Sequence, residues 1–413
     1  MGVYKFDKSF ELFERAVKVI PGGVYGHRHP GFFVPGSYPY YVSRAEGCHF
    51  WDVDGNEYID YMCAFGPIVL GYNYPPLEME MDKWRKKGDA FNLPGEIMVE
   101  LAEYLTGLIT GADWVVFGKN GSDAVTFALQ VAREYTERKK VIVAKGAYHG
   151  SHPWCTPGQG GILKEEKMYT LSFKFNDLEG LKKLVSENKK EVAAIVITPH
   201  HHPVFCDSEL PSKEFLEGIE KLCKDEGIIF ISDDIRDGFR LDLGGSHEYF
   251  GFKPQLIAFG KAMANGYPIS ACAGTEELKE AATRIYFTGT FHLSTLPMAA
   301  SLTTLKELKE KKVTEHLFKM GSILAKGLIK LGEEHGQEIK ITGPPPIPFM
   351  RFADDKDLFK SQLFCAEACK RGIYFHPHHN WFLSFAHTEE DIKKSLEVAD
   401  VAFKIVEEEF GKK

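Results

Sequence analysis

The sequence predicts an α/β fold built around a mainly parallel sheet. Short apolar runs rich in β-branched residues alternate along the chain with helical patterns, which is typical of a parallel sheet enclosed between two layers of helices. Four of these runs are residues 114–117, 141–144, 192–197 and 228–231. A chain of 413 residues is long enough for one large core of this kind together with a smaller second domain.

We expect three segments along the chain. Residues 1–74 form an amino-terminal arm and part of the small domain, residues 75–305 form the large three-layer domain, and residues 306–413 form the carboxy-terminal small domain. The arm contains a strong hairpin-turn signal at residues 54–56, Asp-Gly-Asn. The last segment alternates short strands with amphipathic helices, for example over residues 389–409, which predicts an α+β domain.

Composition and charge exclude several classes of protein. The formal net charge of -8 argues against a nucleic-acid or anionic-membrane partner, because neither would be attracted to an acidic surface. No apolar run approaches membrane-spanning length, and the amino terminus lacks the apolar region of a signal peptide. The eight cysteines have neither disulfide nor zinc spacing. We therefore expect a cytoplasmic protein with reduced thiols.

Two polar residues follow buried strands at the same predicted edge of the sheet. The run 228–231 leads to Asp233, and a second short run leads to Lys261. Functional residues of parallel sheets lie at the carboxyl ends of the strands, so the two should share a crevice. A lysine that forms a Schiff base and a carboxylate that keeps the ring nitrogen protonated are what a pyridoxal phosphate (PLP) enzyme requires. The alternative is that Asp233 only caps a helix and Lys261 opens an exposed one.

A third feature predicts an anion site. The strand at residues 114–117 is followed by a turn of small residues that includes Gly121 and Ser122, and a helix begins there. Backbone N–H groups at a helix start, together with the positive end of the helix dipole, attract phosphate. An ordinary Ser/Asp helix cap would leave the same pattern.

The stretches 232–240 and 259–268 resemble the class III aminotransferases, most closely the glutamate-1-semialdehyde aminomutase branch, and the similarity covers nearly the whole chain. The resemblance implies the fold type I of PLP-dependent transferases, PLP as cofactor, and a homodimer with shared active sites. It also implies that Tyr148 stacks on the cofactor ring with His149 beside it. Gly121 and Ser122 would hold the phosphate, and Thr290 would reach the phosphate of the neighbouring subunit's cofactor.

The substrate side of the site is less defined. Arg28 is our first candidate for a substrate carboxylate, because a guanidinium matches its two oxygens, and Arg236 is the second. Relatives usually have an acid where this chain has Thr198. The chain also contains two histidine runs, at residues 200–202 and 376–379, which are unusual. The remaining candidates are Phe65, Thr198, His200 and His378. We expect no metal site, because no carboxylate or HExxH pattern accompanies the histidines.

These observations predict an aminotransferase that moves an amino group between a small amino compound and a keto or aldehyde acceptor through Lys261. An intramolecular aminomutase uses the same half-reactions in reverse order on one molecule, and a lyase or epimerase would use the same fold. A binding protein that has lost the chemistry is disfavoured, because Asp233, Lys261, Ser122 and Tyr148 are all present.

Overall fold

The computed structural model describes residues 2–411, which form 13 helices and 13 strands besides short 3₁₀ turns. The strands are β1 (Val42–Glu46), β2 (His49–Asp52), β3 (Glu57–Asp60), β4 (Trp114–Gly118), β5 (Lys140–Ala144), β6 (Thr170–Phe173), β7 (Val192–Ile197), β8 (Ile229–Asp233), β9 (Leu256–Phe259), β10 (Ser270–Gly274), β11 (Ile339–Thr342), β12 (Phe349–Phe352) and β13 (Ile373–Tyr374). The helices are α1 (Asp7–Ala16), α2 (Pro75–Arg85), α3 (Ile97–Leu108), α4 (Gly121–Thr136), α5 (Lys164–Lys167), α6 (Leu178–Glu187), α7 (Lys213–Glu226), α8 (Ser246–Phe250), α9 (Lys279–Thr283), α10 (Thr295–Glu310), α11 (Val313–Glu334), α12 (Phe359–Cys369) and α13 (Glu389–Phe410).

The chain forms two compact units, and neither is continuous in sequence. The first unit comprises the described residues up to Tyr74, the segment Val204–Asp207, and the described residues from Glu315 onward. The second unit comprises Pro75–Pro203 and Ser208–Thr314. The chain therefore passes from one unit to the other four times, after residues 74, 203, 207 and 314.

The second unit is a three-layer α/β structure around a seven-stranded sheet in the order β4-β10-β9-β8-β7-β5-β6. All of its strands are parallel except β10, which is antiparallel to both of its neighbours. Side chains alternate between the faces, so that Ile229 and Ile231 pack with α4 whereas Phe230 packs with α6 and α7. The predicted α/β fold with a mainly parallel sheet is confirmed.

The first unit contains a four-stranded sheet in the order β1-β2-β3-β13 and a two-stranded sheet, β11-β12. The hairpin between β2 and β3 forms at the predicted turn, because Asp52 Oδ1 accepts hydrogen bonds from the backbone N–H groups of Asp54 (2.9 Å) and Asn56 (2.8 Å). In the segment Val204–Asp207, the carboxylate of Asp207 accepts two hydrogen bonds from Arg351, which holds the segment on this unit.

Two helices differ from the sequence pattern. Apolar spacing predicts a helix over residues 8–20, but α1 ends at Ala16, and Val19 is 81% exposed. The 22-residue helix α11 was not anticipated. Within residues 2–411, none of the helices combines the length and the apolar character needed to cross a bilayer.

One charged cluster predicts how the stability of the first unit depends on pH. His49 Nδ1 lies 2.9 Å from Glu57 Oε1, and His49 Nε2 lies 3.2 Å from Asp391 Oδ1. The hydrogen bond with Asp391 raises the pKa of His49. Burial would raise the pKa of Asp391, but hydrogen bonds from His49 and Thr388 lower it below the usual value.

We therefore expect His49→Gln to reduce the free energy of unfolding by about 1 kcal/mol at mildly acidic pH. A raised histidine pKa stabilises the fold below about pH 6.5, and the depressed aspartate pKa stabilises it above about pH 4. The difference between wild type and variant in urea unfolding should shrink as the pH rises from mildly acidic values past the raised pKa of His49, where the imidazole of the folded protein loses its proton. An equal difference at both ends of this range would contradict the assignment.

Candidate active site

Asp233 ends β8, and its carboxylate is held on both oxygens. His149 Nδ1–H donates to Asp233 Oδ2 at 2.7 Å, and the backbone N–H of Ile235 donates to Oδ1 at 3.2 Å. The side chains of His149 and Asp233 are almost completely buried. The ring of Trp154 lies parallel to the His149 imidazole, with 6.5 Å between ring centres, and helps to fix its orientation. Hydrogen bonds of this kind favour the ionised carboxylate.

Lys261 lies just beyond β9, with only Gly260 between them, and it begins a 3₁₀ turn, Lys261–Ala264. Its φ of 45° lies in the left-handed region, which a residue with a side chain rarely adopts. Burial and the nearby Arg236 together lower the pKa of Lys261 to about 8, although Asp233 and Asp237 oppose the shift. Lys261 and Asp233 therefore interact electrostatically in one buried pocket, and much more of the lysine is unprotonated at neutral pH than in water.

The residue that follows Asp233 is a second buried acid, Asp234, in a different environment. Burial and the neighbouring Asp237 raise the pKa of Asp234 to about 8. Asp234 is bonded to Ser246, through the Ser246 backbone N–H at 2.7 Å and through its hydroxyl. The two adjacent aspartates thus lie in different environments. Asp233 accepts a hydrogen bond from His149, whereas Asp234 accepts from Ser246 and, with a pKa of about 8, is largely neutral at pH 7.

The start of α4 has the features of an anion site. Asp123 Oδ2 accepts hydrogen bonds from the backbone N–H groups of Lys119 (3.1 Å) and Asn120 (2.8 Å), which fixes the turn before the helix. A Cβ added at Gly150, where φ is +116°, would lie 2.3 Å from Ser122 Oγ. Ser122 Oγ accepts from Ser151 N at 3.0 Å, so its own hydroxyl proton is directed elsewhere. The helix start and this hydroxyl can bind a phosphate group.

Tyr148 follows β5 and is 46% exposed, so its ring can contact a ligand. Burial raises the pKa of Tyr148, and Cys155 and Asp233 add to the increase. The phenol therefore lies within the electrostatic field of Asp233. Thr290, by contrast, lies exposed in the segment between α9 and α10.

Three of the substrate candidates lie in the second unit. Thr198 and His200 follow β7 and are buried. Within residues 2–411 the Thr198 hydroxyl and Nε2 of His200 form no hydrogen bond, whereas His200 Nδ1 lies 3.4 Å from Asp237 Oδ1. The backbone N–H of His200 donates to Asp237 Oδ2 at 3.1 Å. Burial lowers the pKa values of His200 and Arg236, while Asp237 opposes both shifts. The Thr198 hydroxyl and Nε2 of His200 are available to a polar ligand.

The other substrate candidates lie in the first unit. The guanidinium of Arg28 is 5.6 Å from the centre of the Phe65 ring. His378 is buried, and its ring contacts Phe205 with 4.8 Å between centres. The two histidine runs form no metal-binding arrangement in the described part of the chain, where the one group with three suitable ligand atoms within 4.8 Å is Cys48, His49 and Asp391.

Sequence reasoning missed two residues of the pocket. Asp237 contacts the His200 backbone and acts on the charges of Arg236 and Lys261. Gly150 allows the close approach of its loop to Ser122. Asp237 could have been found from the sequence, because it follows Asp233 by four residues after a predicted strand. Gly150 could not, because its close approach to Ser122 exists only in the folded loop.

Comparison with known proteins gives three matches over nearly the whole chain. The family model described as "Aminotransferase class-III" matches residues 34–397. The aminopentol aminotransferase of Sphingopyxis macrogoltabida is 42% identical over 401 residues, which cover 97% of this chain and 95% of that protein. A glutamate-1-semialdehyde 2,1-aminomutase of Desulforamulus reducens is 32% identical, with coverage of 98% and 99%.

A solved structure is also closely similar. The PLP internal aldimine form of the Sphingopyxis sp. MTA144 FumI protein superimposes with a TM-score of 0.96 and 42% sequence identity, covering 98% of this chain and 97% of that one. The similarity extends over the elements that carry Asp233, Lys261 and the start of α4.

Proposed function

Because this chain belongs to the class III aminotransferases, and is therefore a PLP-dependent enzyme that takes an amino donor and a carbonyl acceptor, we propose that Lys261 and Asp233 carry out its chemistry. One observation carries this proposal. A buried lysine with its pKa lowered to about 8 interacts with a buried aspartate that His149 holds at 2.7 Å. Such a pairing is typical of a catalytic pocket.

The residues present fit the cofactor. When bound, PLP supplies an electron-poor ring that accepts the electron pair released at the Cα atom of the amino substrate. Asp233 suits the ring nitrogen, because its hydrogen bonds from His149 and Ile235 favour the charged carboxylate. The start of α4, with Gly121 and Ser122, suits the phosphate, and the half-exposed ring of Tyr148 suits the face of the cofactor ring.

Lys261 is proposed to hold the cofactor covalently and then to move the proton at the substrate Cα atom. A general base works best when its pKa is near the operating pH, and a pKa of about 8 meets this condition. Asp237 and Arg236 contribute opposite charges around the amine, so substitution at either would change its basicity. The Thr198 hydroxyl and Nε2 of His200 form no hydrogen bond within residues 2–411, and we propose that they contact a polar group of the amino substrate.

Transfer between two molecules is favoured over an internal aminomutase reaction. The support is the order of similarity, since a protein named as an aminotransferase shares 42% of its residues with this chain and one named as an aminomutase shares 32%. Both reactions use the same groups, so the distinction requires a measurement.

The test is a half-reaction with the PLP-loaded protein and one candidate amine, without a carbonyl acceptor. We expect one equivalent of keto or aldehyde product per site, no ammonia, and return of the original absorption spectrum when a carbonyl acceptor is added. Ammonia release would instead indicate a lyase. An isomer of the added amine as the sole product would indicate an aminomutase, and either result would contradict the proposal.

We also propose a homodimer in which Thr290 completes the neighbouring subunit's phosphate site. Several large apolar side chains near Thr290 are exposed, as expected for a surface that a second copy covers: Tyr286 (94%), Phe291 (60%) and Leu293 (39%). A cytoplasmic location stays a prediction, and its support is that all eight cysteines are unpaired.

A further inference from the structure

The loop that follows β5 contains residues for both ends of the proposed cofactor site. Tyr148 is proposed to lie against the cofactor ring, and His149 holds Asp233. The next residues, 150–154, pack against the first two turns of α4, the helix whose start is proposed to bind the phosphate. The proposed chemistry assigns no role to Thr126, the residue of α4 at the centre of these contacts.

The Thr126 hydroxyl connects the loop with the turn before α4. It accepts a hydrogen bond from the indole Nε1–H of Trp154 at 2.9 Å and lies 2.7 Å from His152 Nδ1. Because the indole only donates, the hydroxyl proton is free to bond His152 Nδ1, and the imidazole proton is then on Nε2. His152 Nε2 faces Asp123 Oδ1 at 3.7 Å. The other carboxylate oxygen of Asp123 is the one that fixes the turn, so Thr126 is connected to that turn through His152.

A second attachment holds the start of the loop on the same helix. The backbone N–H of Ser151 donates to Ser122 Oγ at 3.0 Å, and a Cβ at Gly150 would lie 2.3 Å from that oxygen. Ser122 and Thr126 are four residues apart, so the loop is attached to one face of α4 over one helical turn. Two attachments on one face fix the loop in position and in direction.

Trp154 connects the same loop with the other end of the site. Its indole is buried and lies parallel to the His149 imidazole, with 6.5 Å between ring centres. His149 in turn donates to Asp233 Oδ2 at 2.7 Å. The orientation of the group proposed for the ring nitrogen thus depends on where Trp154 lies, and Thr126 holds the indole of Trp154.

We propose that Thr126 is a positioning residue that sets the spacing between the groups that bind the cofactor phosphate and the groups that bind the cofactor ring. The inference rests on the proposed function, which assigns the phosphate to the start of α4 and the ring to Tyr148 and Asp233. The phosphate and the ring of PLP are joined covalently, so PLP binds best when both halves of the site are held at a matching distance. Without the Thr126 hydroxyl, each half should still bind its own group, but the two halves should no longer act together.

The test compares three ligands that cannot react with Lys261, because none of them has an aldehyde: 4-deoxypyridoxine 5′-phosphate, 4-deoxypyridoxine and inorganic phosphate. Isothermal titration calorimetry measures their affinities for the full-length protein after removal of PLP. Thr126→Val keeps the shape of the side chain without the hydroxyl, and we expect it to bind 4-deoxypyridoxine 5′-phosphate about 10-fold more weakly than wild type does. Its affinities for 4-deoxypyridoxine and for inorganic phosphate should each change by less than about 2-fold.

Only a loss confined to the ligand that has both groups supports the inference. Unchanged affinity of Thr126→Val for 4-deoxypyridoxine 5′-phosphate would overturn it. An equal loss for all three ligands would also overturn it, because general damage to the pocket has that effect. An equal loss for 4-deoxypyridoxine 5′-phosphate and inorganic phosphate would mean that Thr126 shapes the phosphate turn alone, and the spacing role would again be wrong.

A second variant tests the same connection from the loop. Trp154→Phe keeps an aromatic ring beside His149 and removes the indole N–H that Thr126 accepts. We expect a smaller loss, about 3-fold, again confined to 4-deoxypyridoxine 5′-phosphate. Wild-type affinity of Trp154→Phe for this ligand would contradict the inference.

Two controls are matched to the Thr126 substitution. Thr126→Ser retains the hydroxyl and should bind all three ligands as wild type does, and a loss equal to that of Thr126→Val would refute a role for the hydroxyl. Thr136 is another half-buried threonine of α4, about 15 Å further along the helix, and its hydroxyl donates to Ala132 O at 2.7 Å. Thr136→Val therefore makes the same change away from the loop and should leave all three affinities unchanged. Thermal unfolding verifies that each variant is folded.

Failure of this inference and failure of the proposed function give different results. If the wild-type protein does not bind 4-deoxypyridoxine 5′-phosphate, the proposed cofactor site is wrong and the spacing role falls with it. If wild type and Thr126→Val bind this ligand equally well while an amine yields a keto or aldehyde product, only the present inference is overturned. If the affinities change as expected but no amine yields a product, the positioning role stands and the amino-transfer proposal is wrong.

Discussion

Replacing Lys261 with alanine is expected to reduce amino transfer by at least about 1000-fold. Lys261 is the proposed covalent anchor of PLP and the base that moves the proton at the substrate Cα atom. Its burial and its pKa of about 8 suit both roles. The measurement is kcat/KM for amino transfer, with residual PLP content determined for each preparation.

A second readout separates loss of chemistry from loss of structure. Treatment of the wild-type protein with borohydride should attach the cofactor irreversibly to the peptide that contains Lys261, and mass spectrometry locates it. Lys261→Ala should carry no such label while keeping the wild-type unfolding temperature. Lys253→Ala, at an exposed lysine of the same unit, is the matched control and should behave as wild type. Label on a different lysine would refute the assignment.

Asp233→Asn is expected to lower kcat/KM about 100- to 1000-fold, the size of effect seen when a preorganised polar partner is removed. The amide preserves the shape of the side chain and can still accept from His149, but it has no negative charge for the ring nitrogen. The cofactor would therefore be a weaker electron acceptor, while the fold should be retained. The rate of the half-reaction with a single amine measures this directly.

The neighbouring residue offers a control one position away. Burial holds the pKa of Asp234 at about 8, so this residue is largely neutral at pH 7, and Asp234→Asn changes little of its charge. We expect Asp234→Asn to retain most of the activity at pH 7, despite the comparable burial of the two side chains. If both variants lost activity equally, the loss would reflect damage to the pocket, and Asp233 would have no separate role.

The sheet of the second unit was predictable because buried parallel strands have a simple pattern. The runs 192–197 and 228–231 are apolar throughout and lie in strands, and the predicted polar residues Thr198 and Asp233 stand at the carboxyl ends of those strands. Strand direction is not encoded in such a pattern, so the antiparallel orientation of β10 could not be foreseen. In the same way, the apolar residues Val19 and Ile20 continue the spacing of α1 although the helix has ended.

The candidate site was predictable only in part. Asp233 and Lys261 follow strands, and their chemistry is readable from residue type. The contact between His149 and Asp233 joins residues 84 positions apart, and no local pattern encodes it. The left-handed turn at Cys63–Phe65 opposes the usual preference of these residues, so only tertiary contacts can impose it. The different environments of Asp233 and Asp234 also depend on neighbours that are distant in the sequence, His149 for Asp233 and Ser246 for Asp234.

The four passages of the chain between the two units have a practical consequence for anyone who wishes to study either unit alone. Truncation after residue 314 would remove most of the first unit but leave its amino-terminal portion and the Val204–Asp207 segment, including the partner of Arg351, on the remaining polypeptide. A minimal fragment with Lys261 would therefore need both a new start after residue 74 and a redesigned bridge between Pro203 and Ser208. Because both units are built from separate chain segments, a single gene fusion could not exchange one unit for that of another protein.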